Sequence, residues 1–310
     1  MTYSDEALIF NKIPVSNQVR AEDRLSYLYL EYCQIIQNRT GVAAVQDRQE
    51  GTEERLLQLP VAGLAVLFLG PGTSITQPAI ASCTRSGLTV IFCGGGGTPC
   101  YSHATPLTSS ARWAIAQARV VSDKIASREV AKKMYSQQLG LELSTTLTIS
   151  QMRGIEGSLI KKRYRELAAR YGVKGFKRDT AGDDTVNQSL NIVNGVLYGC
   201  AASACAALGM NPALGIIHRG DVRSLLFDLA DGYKPSLALP IAFRSVNQED
   251  PLKFARKEIR SFLFRDSVLA SMVGFLMELF ADYIPKINDD RLIDDDGEVL
   301  GHKVYTDNLR

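Results

Sequence analysis

The stretch that most restricts the fold is residues 184–210, "DTVNQSLNIVNGVLYGCAASACAALGM", which is long, apolar and rich in small residues. A helix that is apolar on nearly every side must be enclosed on nearly every side. The segment therefore reads as the central helix of a bundle, and the chain supplies its neighbours after Ser109. "ARWAIAQARVVSDKIASREVAKKMYSQQLG" reads as a helix running to a stop at Gly140, and "QMRGIEGSLIKKRYRELAARYG" as one capped by Ser150 and stopped at Gly172. "RSLLFDLADGY" ends near Pro235, and "EDPLKFARKEIRSFLFRDSVLASMVGFLMELFADY" reads as one long amphipathic helix.

Before this region the pattern is that of strands. From Arg24 to about Tyr101, "RLSYLYLEYCQIIQ", "VAAVQD", "ERLLQLP", "LAVLFLG" and "LTVIFC" are separated by polar or Gly/Pro breaks, with one short helix in "SITQPAIASCTRSG". The Gly-rich stretch "CGGGGTPCYSHATPLTSS" reads as a flexible connection. The expected class is α+β: a small, sandwich-like β-sheet domain over 1–102, a linker at 103–107, an all-α domain over 108–285 and an acidic tail at 286–310. No run of about 18 apolar residues occurs, and the N-terminus lacks a signal-peptide pattern, so a cytoplasmic protein is expected, with no membrane partner. The six cysteines form no CxxC pair, which argues against a zinc site or a disulfide framework.

Net charge is only +2, but it is unevenly spread. Residues 161–178 hold eight basic side chains against the single acid Glu166, whereas 282–298 hold seven acids against Lys286 and Arg291. A basic segment of that density points to a polyanion, and its lysines and arginines suit backbone contacts that ignore sequence. Lys161, Lys162, Arg163 and Arg165 are its first members.

The chemistry-bearing residues lie close to this segment. Glu156, in "RGIEGS", sits five residues before Lys161 and is flanked by Gly154 and Gly157. Each glycine costs about 1 kcal/mol in a helix and admits either a neighbouring helix or a ligand. His218 precedes a short helix on which Asp228 and Asp231 share a face. A satisfied loop histidine with solvated acids is one reading. The other is a mostly oxygen-donor site for Mg2+ or Mn2+ beside a phosphate-binding helix. Arg153, one turn before Glu156, is a candidate phosphate contact. Gly94–Gly97 are not a phosphate loop, since no Gly-Lys-Ser/Thr ending follows them.

"RGIEGS", "DTVNQSLNIVNGVLYG", "ALGIIHRG" and "SLLFDLAD" occur in the order and approximate spacing of the CRISPR-associated adaptation integrase, the larger of the two universal spacer-acquisition proteins. "IPVSNQVRAEDRLSYLYLEYCQI" and "LGPGTSIT" extend the resemblance to the β domain, and it is closest to the type I-E branch. The resemblance implies a metal-dependent endonuclease and integrase with Glu156, His218 and Asp231 as metal ligands, Asp228 supporting them, and Tyr32 stacking on the splayed end of a captured duplex. It also implies a homodimer, with two dimers bridged by a small ferredoxin-like partner dimer, acting on double-stranded spacer and repeat DNA. The 3′-hydroxyl of the captured DNA would attack a repeat phosphodiester. The alternatives are a stand-alone nuclease for branched DNA and a silent DNA-binding scaffold. This chain departs from type I-E relatives at Pro99, in "GGGGTPCY", where they carry a basic residue shortly before the tyrosine matching Tyr101, and at Phe227, where they carry tyrosine.

Overall fold

The computed structural model describes residues 26–46, 55–97, 100–105, 110–285, 291–294 and 297–300. The start of the β-domain motif, 13–25, and most of the acidic tail lie outside the described residues.

Two four-stranded sheets form the N-terminal part. The first contains β1 (Ser26–Leu30), with the order β1-β5-β7-β8; the second, built on β2 (Gln34–Asn38) and β3 (Gly41–Gln46), has the order β4-β3-β2-β6. Here β4 is Arg55–Gln58, β5 Leu64–Leu69, β6 Ser74–Ile75, β7 Thr89–Cys93 and β8 Cys100–Ala104. Strands β1, β5 and β7 run parallel, and β8 returns antiparallel to β7. Helix α1 (Gln77–Arg85) contributes Ala79 and Cys83 to the core that joins the two sheets.

Strand β5, "LAVLFL", is buried at every position. Leu67 and Leu69 point into the core shared with the second sheet, while Val66 and Phe68 join the core of the helices. Burial on both faces is why this segment is continuously apolar instead of alternating.

Over its described residues, the strand-like stretch that reaches Gln37 is two strands belonging to different sheets. The switch occurs at Tyr32, which is 68% exposed and has φ of 51°. That left-handed backbone costs a non-glycine residue about 1 kcal/mol or more. The Tyr32 N–H donates to the Pro71 carbonyl at 2.9 Å, and its ring lies over Gly72, where a Cβ would come within 2.5 Å of the ring edge.

The described parts of the Gly-rich connection are more ordered than their composition suggests. Gly95–Gly97 form a tight helical turn and β8 pairs with β7 through Ala104, so His103 and Ala104, placed in the linker, belong to the sheet. Pairing with a neighbouring strand overrides the local propensity.

The helical part comprises α2 (Arg112–Ser122), α3 (Lys124–Leu139), α4 (Ile149–Tyr171), α5 (Thr185–Leu208), α6 (Ser224–Asp231), α7 (Leu239–Ser245), α8 (Pro251–Arg265) and α9 (Val268–Phe280). Several boundaries differ from the sequence pattern. The helix expected over 111–139 breaks at Asp123, whose carboxylate accepts from the Ile125 and Ala126 N–H groups at 2.7 and 2.8 Å and starts α3. Thr148, not Ser150, caps α4, because Gln151 three residues on completes a reciprocal capping box. Helix α6 does stop before Pro235, at Asp231, but one wide turn, Lys234–Ala238, carries the chain directly into α7. The long C-terminal helix is two, separated at Asp266 and Ser267, the latter at φ 45°. Residues 291–294 and 297–300 pair as a hairpin, β9 and β10.

Helix α5 is the enclosed one. Most of its residues are buried, and it packs against α6, α7, α8, α9 and the first sheet. Its length and apolarity match a membrane span, but 72% of its most apolar window is buried inside the protein. Small residues let the sheet come close: a Cβ on Gly199 would collide with the Phe68 ring and lie 3.2 Å from Ile91. Gly199→Ala should therefore lower stability by about 1–2 kcal/mol, despite alanine's better helix propensity, because overpacking outweighs it. Urea unfolding reads this, and an unchanged or raised midpoint would show that Phe68 yields freely.

Candidate active site

The site is assembled around a carboxylate that is not itself accessible. The side chain of Asp228, on α6, has no solvent exposure. Its Oδ2 accepts from the backbone N–H of Ile216 (2.6 Å) and Ile217 (3.0 Å). Its Oδ1 accepts from the His218 N–H (2.9 Å) and faces His218 Nδ1 at 2.7 Å. An ionised carboxylate only accepts, so Nδ1 carries the hydrogen and the Nε2 lone pair of the neutral ring points outward. Upstream, the fully buried Gln117 of α2 donates to the Asn211 and Leu214 carbonyls and accepts from the Asn211 N–H. Two buried polar side chains thus hold the 211–218 loop.

His218 Nε2 lies 3.9 Å from Asp231 Oδ2. The other Asp231 oxygen, Oδ1, is shut off from solvent without a directed hydrogen bond, and the Lys234 ammonium rests against it. Burial works against the Lys234 charge, but Asp231 and Tyr198 outweigh it and hold its pKa above the usual value. Glu156, on α4, faces the same region, and Gln138 of α3 donates to it at 3.3 Å. Its pKa is raised, first by burial and then by the Asp231 charge. The hydrogen bond to Asp228 comes first in raising the His218 pKa above 6.5.

Gly154 and Gly157 have nothing within 4 Å of a Cβ position, so they do not serve close helix packing, and space remains beside Glu156. That space opens into a groove of about 1030 Å³ running along α4, floored by Ile160, Tyr164 and Phe176 and edged by Lys161, Arg165, Lys177 and Arg178. Arg178 is held by Asn187 and Asn191 at 2.8 and 2.7 Å. Lys161 and Arg165 therefore face the groove; Lys162 is exposed but does not line it, and Arg163 is paired with Glu166 at 3.6 Å. Arg153 is exposed on α4, and Tyr32 stands at the strand switch of the β part. Phe227 packs edge-on to Tyr198 and His218, and the Arg223 guanidinium lies 5.0 Å from its ring centre.

The donors suit a hard divalent ion: an oriented imidazole nitrogen, the Asp231 carboxylate with Oδ2 turned to that imidazole and Oδ1 paired with Lys234, and the Glu156 carboxylate, whose proton affinity the Asp231 charge raises. Among the described residues, however, no three such side chains are drawn close enough to hold an ion as they stand. Lys234, Gln138 and Gln117 were not singled out in the sequence. The i, i+3 spacing of Lys234 from Asp231 was a visible signal; Gln138 and Gln117 carry none, since only tertiary packing gives them partners.

The model of the family described as "CRISPR associated protein Cas1" matches residues 34–141 and 135–272. The chain belongs to the Cas1 family. The CRISPR-associated endonuclease Cas1 of Clostridium sp. (strain SY8519) is 33% identical over 270 residues, 84% of this chain and 88% of that protein. One from Thermus thermophilus is 36% identical over 265 residues, 83% of this chain and 80% of that protein. A crystal structure of a TtCas1–DNA complex superposes with a TM-score of 0.77 at 35% identity, over 89% of this chain and 99% of that one. A casposase bound to integration product, at 16% identity and a TM-score of 0.64, shares the fold.

Asp228→Asn tests the arrangement. An amide cannot accept from three N–H groups and the ring at once, so unfolding free energy should fall by about 3 kcal/mol. The folded state binds the His218 proton more tightly than the unfolded chain does. The stabilisation linked to this proton is therefore complete below about pH 6.5 and is lost as pH rises through the higher folded value, while the neutral ring's Nδ1–H keeps its bond to Asp228. NMR titration of the metal-free protein should show the His218 pKa dropping in Asp228→Asn; an unchanged value would mean Asp228 does not set it.

Proposed function

We propose that this chain is a divalent-metal-dependent DNA endonuclease and integrase of CRISPR adaptation, with Glu156, His218 and Asp231 as metal ligands and Asp228 as the group that orients His218. The observation that carries the reading is the imidazole fixed by a buried carboxylate, with Nε2 turned to Asp231 and with Glu156, which feels both of their charges, lining a basic-edged groove. A bound Mg2+ or Mn2+ would supply Lewis acidity towards a phosphodiester. The residues of the chain do the rest. Asp228 keeps the Nε2 lone pair available, Lys161 and Arg165 attract phosphates, and the Tyr164 and Phe176 rings offer apolar surface to unstacked bases. Tyr32 stacks on the end of the captured duplex, Arg153 contacts phosphate, and the 3′-hydroxyl of that duplex attacks the repeat phosphodiester by transesterification.

The same reading makes the protein a cytoplasmic homodimer bridged, as two dimers, by the small ferredoxin-like adaptation subunit, and places it nearest the type I-E branch. Support for DNA as the ligand comes from the 35% identical TtCas1 solved with DNA, and for a nuclease from the relatives' name. Phe227 serves this site by ring packing with His218, without a hydroxyl.

With Mn2+ and the partner subunit, a duplex bearing free 3′-hydroxyls should become covalently joined to a repeat-bearing plasmid, whereas a dideoxy-terminated duplex should bind equally and yield no joined product. His218→Ala should join neither. Plasmid nicking at the same rate without any duplex would instead make the protein a stand-alone nuclease.

Salt dependence separates the basic residues. Lys161→Ala and Arg165→Ala should each reduce the slope of log affinity against log salt by about 0.7–0.9 on DNA of any sequence. Arg163→Ala should change it less, because Glu166 already neutralises part of that charge. Equal slopes for wild type and Lys161→Ala would remove Lys161 from the interface.

A further inference from the structure

Cys93 closes β7 and Cys100 opens β8, and the two are partners in the antiparallel register. Opposed residues in such a ladder have side chains on one face and Cα atoms about 4.5–5.5 Å apart. A disulfide spans Cα separations of about 4.4–6.8 Å. The register steps from Phe92–Ser102 to Cys93–Cys100, so Tyr101 is the extra residue of a bulge. That bulge sets Cys100, instead of Tyr101, opposite Cys93. The other cysteines are not so matched: Cys33 precedes β2, Cys83 lies in α1, and Cys200 and Cys205 lie in α5.

The two thiols differ in ways that order their reaction. Cys100 is exposed, and although burial of its sulfur raises its pKa, the Arg223 charge beside it works the other way. Cys93 is 3% exposed and burial pushes its thiol up to about 12. A reagent in solution therefore meets Cys100 first. In the reduced protein the Cys93 thiol donates to the Leu69 carbonyl at 3.5 Å and the Cys100 thiol to the Ser102 carbonyl at 3.8 Å. A thiol is a weak donor, so turning both sulfurs towards each other about χ1 gives up little.

We propose that Cys93 and Cys100 form a reversible disulfide site whose oxidant is a low-molecular-weight disulfide of the glutathione type. The Cys100 thiolate attacks one sulfur of the small disulfide, forming a mixed disulfide and releasing one small thiolate. The Cys93 thiol passes its proton to that thiolate and attacks Cys100 Sγ, which expels the second small thiolate; that thiolate takes up the proton Cys100 had shed to solvent. Two protein thiols are oxidised and one small disulfide is reduced to two thiols. The bond closes a ring over residues 93–100, in which the Gly96 N–H donates to the Tyr29 hydroxyl at 3.0 Å and Gly96 abuts the Arg256 side chain of α8. It would thus tie β7 to β8 at the edge of the first sheet, beside the Gly96 contact with α8.

Both cysteines fall in one tryptic peptide, residues 86–112. The full-length folded protein is incubated with oxidised glutathione, then denatured in N-ethylmaleimide and digested. The expected product is peptide 86–112 carrying no maleimide and lacking two hydrogens, with both alkylation sites restored by dithiothreitol. Cys93→Ser should instead retain a glutathione adduct on Cys100, and Cys100→Ser should leave Cys93 unoxidised and alkylated. A wild-type peptide that carries two maleimides, or that keeps glutathione on Cys100, would overturn the proposal.

Discussion

The site depends on the capture of the Asp228 carboxylate by the backbone of residues 216–218 and the ring of His218. An ionised carboxylate without exposure tolerates burial only when its lone pairs are met, and removing one partner of such a group typically costs about 3–5 kcal/mol. All four contacts come from three consecutive residues, so satisfying the charge and shaping the loop are one event. Further support comes from the Leu225 N–H, which donates to the Pro212 carbonyl at 2.8 Å, and from Gln117 beneath Asn211 and Leu214. His218 thereby gains, on a loop, the definition expected of a residue on a rigid element.

The charges around it are arranged in opposition. Burial and then the Asp231 charge disfavour ionised Glu156, and Lys234, paired with Asp231, offsets part of that repulsion. Beyond Glu156 the sign changes: the groove along α4 is edged by cations, of which Arg178 is held by neutral asparagine amides and so keeps its charge available to an anion. Acidic side chains beside a cation-edged groove thus put opposite fields next to each other along α4.

The β part is joined to this machinery through one sheet. Strand β5 is buried on both faces, by the second sheet on one side and by the helical core on the other, and Phe68 sits in the gap that Gly199 leaves in α5. The Tyr27 hydroxyl adds a hydrogen bond to the Arg256 carbonyl of α8 at 3.2 Å. Tyr32, at the point where the chain leaves this sheet for the other, is thus fixed relative to the helices by a continuous packed path.

The sequence by itself determined the α+β class, the enclosed character of 184–210, the basic run after Glu156 and, through four ordered motifs, the Cas1 family. These features are legible because each is carried by residues near one another in the chain: periodicity of burial, charge density and motif spacing are local. Helix breaks were less legible. Apolar periodicity runs straight through Asp123, and Asp123 and Thr148 won their positions through side-chain caps whose strength depends on residues two or three places away. Only the tertiary structure decided what touches what. It made Asp228 the buried anchor of His218. It drew Gln138 to Glu156 across eighteen residues of chain, and turned a glycine-rich connection into a paired strand edge with Cys93 facing Cys100. Those outcomes depend on desolvation and on partners distant in sequence, and neither is written in any single segment of the chain.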